Sequence, residues 1–259
     1  MELEGNNETH CRSCKELITG NFCANCGQKR FERIDKKYII NEIQQTVIQT
    51  DKGFFYTIKN LLVNIGKTAR EYIDGNRVNH YRPLALVLIL AGISTFISFQ
   101  IIGLNDALEE YYVAIDIDMD DPLSLLMVNF KTKYNSLIML CYVPLYSICT
   151  KLAFREWGHN YYEHVVINAF VLSLYMTLCI LITYPVMYIF REDTITMFNI
   201  SFISIIFYPI IYVWFFKNFY YESSLKTIIG RVLLIMLYIL ISYILIIIGI
   251  VFSLVLFYI

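Results

Sequence analysis

The sequence predicts an all-α integral membrane protein of about five transmembrane helices, preceded by a small four-cysteine zinc ribbon and an interfacial amphipathic helix. Three observations carry this reading. The first is composition. Of 259 residues, 57% are hydrophobic and only 17% are charged, whereas a soluble domain carries about 25% charged residues. The second is the clustering of that deficit. Residues 83–102, 134–150, 164–190, 194–216 and 232–259 are runs with no charge at all. A spanning helix needs roughly 20 apolar residues, with a range of about 17–25. In lipid every backbone polar group must be paired within the chain, so runs of this length are expected to be helices.

The third observation is where the lysines and arginines lie, because they set orientation. Thirteen precede Pro83. The connection after the first run holds only Lys131 and Lys133, beside seven acids that include Asp106, Glu110, Asp116, Asp118 and Asp120. Later connections hold Lys151 and Arg155, then Arg191, then Lys217, Lys226 and Arg231, so alternate segments carry eighteen against three. This predicts a cytoplasmic N-terminus and an outer C-terminus. The start, "MELEGNNE", is acidic and polar, so no secretory signal is expected and the first span is its own insertion signal. A net charge of −1 gives no ground for nucleic-acid binding, and none is expected.

Residues 1–30 are read as the head. Cys11 and Cys14 form one C-x-x-C pair, and Cys23 and Cys26 form a second after eight residues. Two such knuckles close a tetrahedral thiolate site, and structural zinc is the expected cofactor. With hardly any core, such a head folds only on metal. Disulfides need an oxidising compartment, which the charge asymmetry argues against. An iron–sulfur cluster also uses four thiolates, and a redox C-x-x-C usually occurs once. Gly20 is expected to permit the turn between knuckles and Gly27 to spare the second one a Cβ clash. His10 is a fifth candidate that reads better as a surface residue.

Residues 31–82 are read as linker and amphipathic interfacial helices. A helix is expected to start near Lys37. Beyond it, apolar positions 54, 58, 61, 62, 65, 69, 72 and 73 share one helical face. Lys59, Lys67 and Arg70 lie among them, as expected of a helix in the headgroup layer, broken near Gly66. Asp74 and Gly75 end it, and Pro83 opens the first span as an N1 proline.

Residues 83–259 are read as the transmembrane domain. Polar side chains inside spans are functional candidates by default. Asn160, His164 and Asn168 recur at four-residue steps, with Tyr175 on the same side. They form either a polar path or a hydrogen-bonded lock between helices. Glu163 and His164 are the weak catalytic candidates, as base and acid. Pro144, Pro185 and Pro209 fall inside spans as kinks or breaks. Cys141, Cys149 and Cys179 read as packing residues. The stretch "YYVAIDIDMDDP" lacks the glycine and glutamate of an EF-hand loop, with Asp121 and Met127 in their places.

"FCANCGQ", "FFYTIKNLL" and "REYIDGNRVNHYRP" occur in this order ahead of several spans. With "NYYEHVVINAF" and "KNFYYESSLKTIIGRVLLIMLY" further on, the chain resembles the bacterial membrane proteins called domain of unknown function 3667. The resemblance covers most of the chain and implies a zinc-ribbon protein of the inner membrane with no established activity. Where members often have Pro-Gly this chain has Ile65-Gly66, and where many carry further histidines it has Phe170 and Leu172.

The expected function is a non-enzymatic scaffold or regulatory protein whose cytoplasmic zinc ribbon contacts a partner, with the lipid bilayer as its other contact. Alternatives are a transporter with a polar path along the third span, or a membrane enzyme acting on lipid or protein.

Overall fold

A computed structural model gives the fold. It describes residues 10–46, 53–104, 107, 108, 110, 111 and 122–258. Asp116, Asp118, Asp120 and the opening "MELEGNNE" lie outside the described residues. Among the described residues the protein is all-helical, without strands beyond two isolated antiparallel bridges.

The helices are α1 (Lys36–Thr46), α2 (Phe54–Ile73), α3 (Pro83–Phe96), α4 (Pro122–Ala153), α5 (Tyr161–Leu178), α6 (Tyr184–Ile189), α7 (Thr194–Ser204), α8 (Phe207–Phe219) and α9 (Leu225–Tyr258). Among the described residues, five stretches are long and apolar enough to cross a membrane: Pro83–Ile101, Lys133–Ala153, Tyr161–Ile189, Thr194–Phe219 and Leu225–Ile250. They correspond one to one with the charge-free runs, with shifted ends. The fifth starts at Leu225 because Lys226 and Arg231 lie in its first two turns, where long cationic side chains can reach out of the apolar layer. The third starts at Tyr161 because the Glu163 charge is paired within the protein.

The third span is the axis of the bundle, with 72% of its most apolar window buried, against 6% for the fifth. Phe170 of this span, with Tyr72, Phe154, Tyr212, Phe215 and Phe216 from other elements, is among the largest fully buried side chains of the core. The apolar side chains left exposed on the fifth span, Leu233 and Leu245 among them, are what a lipid-facing helix presents.

The prolines act locally. Pro209 cannot donate to the Ile205 carbonyl. The fourth span breaks there between α7 and α8, and the Tyr208 amide donates to that carbonyl instead at 3.1 Å. Pro185 follows a π-helical turn, Cys179–Thr183, in the third span. The bend of α4 falls at Tyr134, not at Pro144.

Helix α2 shows where local pattern and packing diverge. Its apolar face (Leu61, Ile65, Ala69, Tyr72) packs on α5 and α8, while Phe55, Val63, Lys59 and Lys67 stay exposed. The break falls at Asn64, two residues before Gly66. The Asn64 side chain accepts from the Lys67 amide at 3.0 Å and so caps the second half. Gly66 has a different task. A Cβ there would stand 2.6 Å from the Phe215 carbonyl oxygen and 2.7 Å from the Phe219 nitrogen, so glycine lets α2 touch the backbone of α8.

The end of α2 is as expected. Gly75 has φ +104°, its amide donates to the Tyr72 carbonyl at 3.2 Å and the Asn76 amide donates to the Glu71 carbonyl at 2.8 Å. This is a Schellman stop. A Cβ on Gly75 would also lie 2.6 Å from the Phe31 ring. Pro83 opens α3, and the buried Glu42 carboxylate of α1 accepts from the Leu84 amide at 3.2 Å.

Candidate metal centre

The two knuckles are near-repeats, "HCRSCKEL" and "FCANCGQK". In the first, the Cys11 amide donates to the Glu16 carbonyl and the Lys15 amide to the Cys11 carbonyl. In the second, the Cys23 amide donates to the Gln28 carbonyl and the Gly27 amide to the Cys23 carbonyl. Bridges His10–Leu17 and Phe22–Lys29 close the two hairpins. Each knuckle turns through a left-handed residue, Lys15 at φ 66° and Gly27 at φ +74°. A Cβ on Gly27 would meet no atom within 4 Å, so glycine serves the backbone conformation there and not a tight contact. Gly20 is neither left-handed nor crowded, so the turn it occupies does not need glycine.

The four sulfurs of Cys11, Cys14, Cys23 and Cys26 lie within 4.8 Å of one another. Among the described residues they form the one cluster that can hold a metal ion, and His10 is not part of it. Cys11–Cys26 and Cys14–Cys23 are each separated by 3.5 Å. A disulfide needs about 2.05 Å, whereas four thiolates about 2.3 Å from one ion stand roughly 3.8 Å apart. The donor set is all sulfur. Burial pushes the Cys11 thiol up, but hydrogen bonds from the Cys14 and Ser13 amides and neighbouring thiols outweigh it and bring it down to about 7. Burial and the adjacent sulfurs push Cys26 up to about 12. A cation among them removes that conflict by favouring every thiolate.

The head is fastened to the bundle. The Arg33 guanidinium donates to both Glu163 oxygens, at 2.7 and 3.1 Å, and to the Gly158 carbonyl at 3.1 Å. Glu163 also accepts from the Asn160 amide at 2.7 Å, while the Asn160 side chain accepts from the Glu163 amide at 2.9 Å. This capping box starts α5. Asn160 reaches further, donating to the Ile34 carbonyl at 2.9 Å. On the other side the Gln28 side chain accepts from the amides of Arg77 and Val78 at 3.0 and 3.1 Å, and Arg77 donates to the Glu32 carbonyl at 2.9 Å.

The polar stripe of the third span is therefore divided between tasks. Asn160 and Glu163 hold the head linker. His164 and Asn168 are sealed inside the bundle. The His164 Nδ1 meets the Thr150 hydroxyl at 3.1 Å. Asn168 donates to that hydroxyl and to the His164 carbonyl, both at 2.8 Å, and accepts from the Tyr212 hydroxyl at 2.7 Å. This circuit ties α4, α5 and α8 together. Tyr175 lies apart from it, stacked on Tyr208 at 4.1 Å beside a cavity of about 580 Å³. The expected catalytic pair is thus not a free acid and base. Glu163 is saturated by Arg33 and its own cap, and His164 faces a neutral hydroxyl in a closed interior. A continuous path along the stripe is likewise not what these residues form.

Arg33, Thr150, Tyr212 and Gln28 were not singled out by the sequence. The capping box was the legible signal, since "NYYE" is the N-cap pattern of a polar residue three before a glutamate. Comparison with curated proteins and with solved structures finds no match. Residues 51–95, which hold α2, the loop after it and most of the first span, match the family model described as Protein of unknown function (DUF3667), the family that the chain's motifs resemble.

Proposed function

We propose a non-enzymatic scaffold or regulatory protein of the bacterial cytoplasmic membrane, N-terminus inside and C-terminus outside. Its four cysteines bind structural zinc, and the zinc head contacts a cytoplasmic protein partner. One observation carries the reading. With the head fastened to the bundle through Arg33 and Gln28, Leu17 and Phe22 of its two hairpins remain 55% and 61% exposed. Two large apolar side chains on a head this small are the kind of anchor that partner surfaces use. Orientation is supported by the cations gathered at the head's end of the bundle. There Arg33 donates to Gly158 in the loop before α5, and Arg70 and Arg231 donate to Asn218 and Ala153 at the ends of α8 and α4, a cationic end that the positive-inside rule assigns to the cytoplasm.

Affinity capture in mild detergent tests the reading. The intact protein is expected to retain a cytoplasmic partner that both Leu17→Ser/Phe22→Ser and Cys11→Ser/Cys14→Ser lose while remaining inserted. Identical captures from all three would sink it. Labelling of Glu110→Cys by an impermeant maleimide from the cytoplasmic side alone would overturn the orientation.

A further inference from the structure

The cavity beside Tyr175, of about 580 Å³, is within the roughly 300–1,000 Å³ typical of small-molecule sites. Four spans wall it. Tyr142 lies near the middle of Lys133–Ala153, Tyr175 near that of Tyr161–Ile189, Tyr208 near that of Thr194–Phe219 and Ile239 near that of Leu225–Ile250. The cavity therefore sits about halfway through the bilayer. It lies at the break of the fourth span, where Pro209 interrupts the backbone bonds and the chain steps from α7 to α8 through Ile205 and Ile206. These two isoleucines also line the cavity, and they are 55% and 58% exposed. At this depth the outside of the bundle meets only lipid, so entry is lateral. Among the described residues, no charged side chain lines the cavity.

The walls are aromatic and carry hydroxyls. Tyr175 stacks on Tyr208 with ring centroids 4.1 Å apart, Tyr142 stacks on Tyr146 at 5.5 Å, and Tyr146 meets Tyr208 edge-on at 6.0 Å. A phenolic hydroxyl in apolar surroundings is costly unless it is paired. The Tyr146 and Tyr243 hydroxyls meet at 2.8 Å, and Tyr175 meets the Ser204 hydroxyl at 3.2 Å. Tyr208 differs. Its ring is packed, but its hydroxyl has no hydrogen-bond partner among the described residues and keeps accessible surface. It is a donor left open where water is absent. A ligand that satisfies it needs an uncharged acceptor, because a charge at this depth is costly. The ring faces suit a flat ring. Met139, Met176 and Met236 supply adaptable apolar wall for a tail. An acyl chain alone meets only the last of these demands.

We propose that this cavity binds a lipid-soluble quinone. Its flat ring lies against the tyrosine walls, one ring carbonyl accepts from the Tyr208 hydroxyl, and its apolar tail leaves past Ile205 and Ile206 into the bilayer. The site is separate from the four cysteines and from the closed circuit of His164 and Asn168, and its occupancy does not depend on a partner of the head.

The test titrates the full-length protein in neutral detergent with decylubiquinone, followed by quenching of intrinsic fluorescence, since Trp214 shares the fourth span with Tyr208. Saturation at one quinone per chain is expected, with no displacement by an equal excess of dodecane. Tyr208→Phe keeps the ring and removes only the open donor. It is expected to leave the unfolding midpoint unchanged and to weaken binding roughly three- to tenfold, the worth of one hydrogen bond between neutral groups. Ile239→Trp, which fills the cavity from the fifth span, is expected to abolish saturable binding. Quenching that never saturates, displacement by dodecane as by free quinone, or undiminished binding in Tyr208→Phe overturns the proposal; displacement by dodecane would make the cavity an acyl-chain slot.

Discussion

The head and the bundle are held together by opposite means. The bundle has a continuous apolar core running from Leu61 of α2 through Phe170 to Ile235 of α9. Its polar interior is small, neutral and closed. The head has Cys11, Ile18 and Cys23 as its buried hydrophobic cluster, and the rest of its order comes from two knuckles of backbone hydrogen bonds around four sulfurs. Packing serves one region throughout, whereas the other has four sulfurs placed to hold an ion and is fastened to the first. A head of this kind can be loosened without disturbing the spans.

Removing the metal breaks that comparison most sharply. Structural zinc in isolated fingers is worth about 10–16 kcal/mol. Chelation, or Cys23→Ser, is expected to abolish hydrogen-exchange protection over the head while the spans keep theirs. Loss of protection in both together would mean the bundle is not self-sufficient.

The next effect lies within the bundle. Gly66→Ala puts a methyl 2.6 Å from the Phe215 carbonyl oxygen. Backbone cannot retreat as a flexible side chain can, so α2 must lift from α8 at a cost of roughly 1–3 kcal/mol. Unfolding in detergent should register it, and an unchanged midpoint would contradict the close contact. Asn168→Ala leaves Tyr212 and Thr150 without their shared partner. Polar contacts between membrane helices average about 0.6 kcal/mol with a maximum near 1.7 kcal/mol, so a smaller shift is expected.

The seam between the regions responds to pH. Burial raises the Glu42 carboxyl from 4.5 to about 7, despite the opposing Arg82 and Arg77 charges. A carboxyl with a raised folded-state pKa binds its proton more tightly in the native protein. Its contribution is therefore full below about 4.5 and is lost as pH rises through 7. Glu42→Gln should flatten that slope in protease resistance around α1. A slope of the same size in the variant would assign it to another group.

How far the sequence reached follows the same division. The spans were legible because absence of charge is a local property, and the Gly75 stop and Pro83 start because cap chemistry is local. Spacing alone brought together the four cysteines. What escaped was every contact made across the chain. Arg33 and Glu163 lie 130 residues apart, and neither carries a pattern that names the other. Glu163 looked like a candidate base because an isolated acid near a span has no visible partner. Gly66 looked like a break because a glycine in a helix pattern says nothing of the backbone that will press against it. The stripe from Asn160 to Tyr175 was real as a helical face, but Thr150 and Tyr212 on other helices decided what it does.

The measurement that tests the account most directly is the metal content of the intact protein purified in detergent, set beside Cys11→Ser and Cys26→Ser variants. One zinc per chain, lost in both variants without loss of the five membrane-embedded helices, is the expected result. A metal-free wild type, an iron chromophore, or zinc retained by the variants would contradict it.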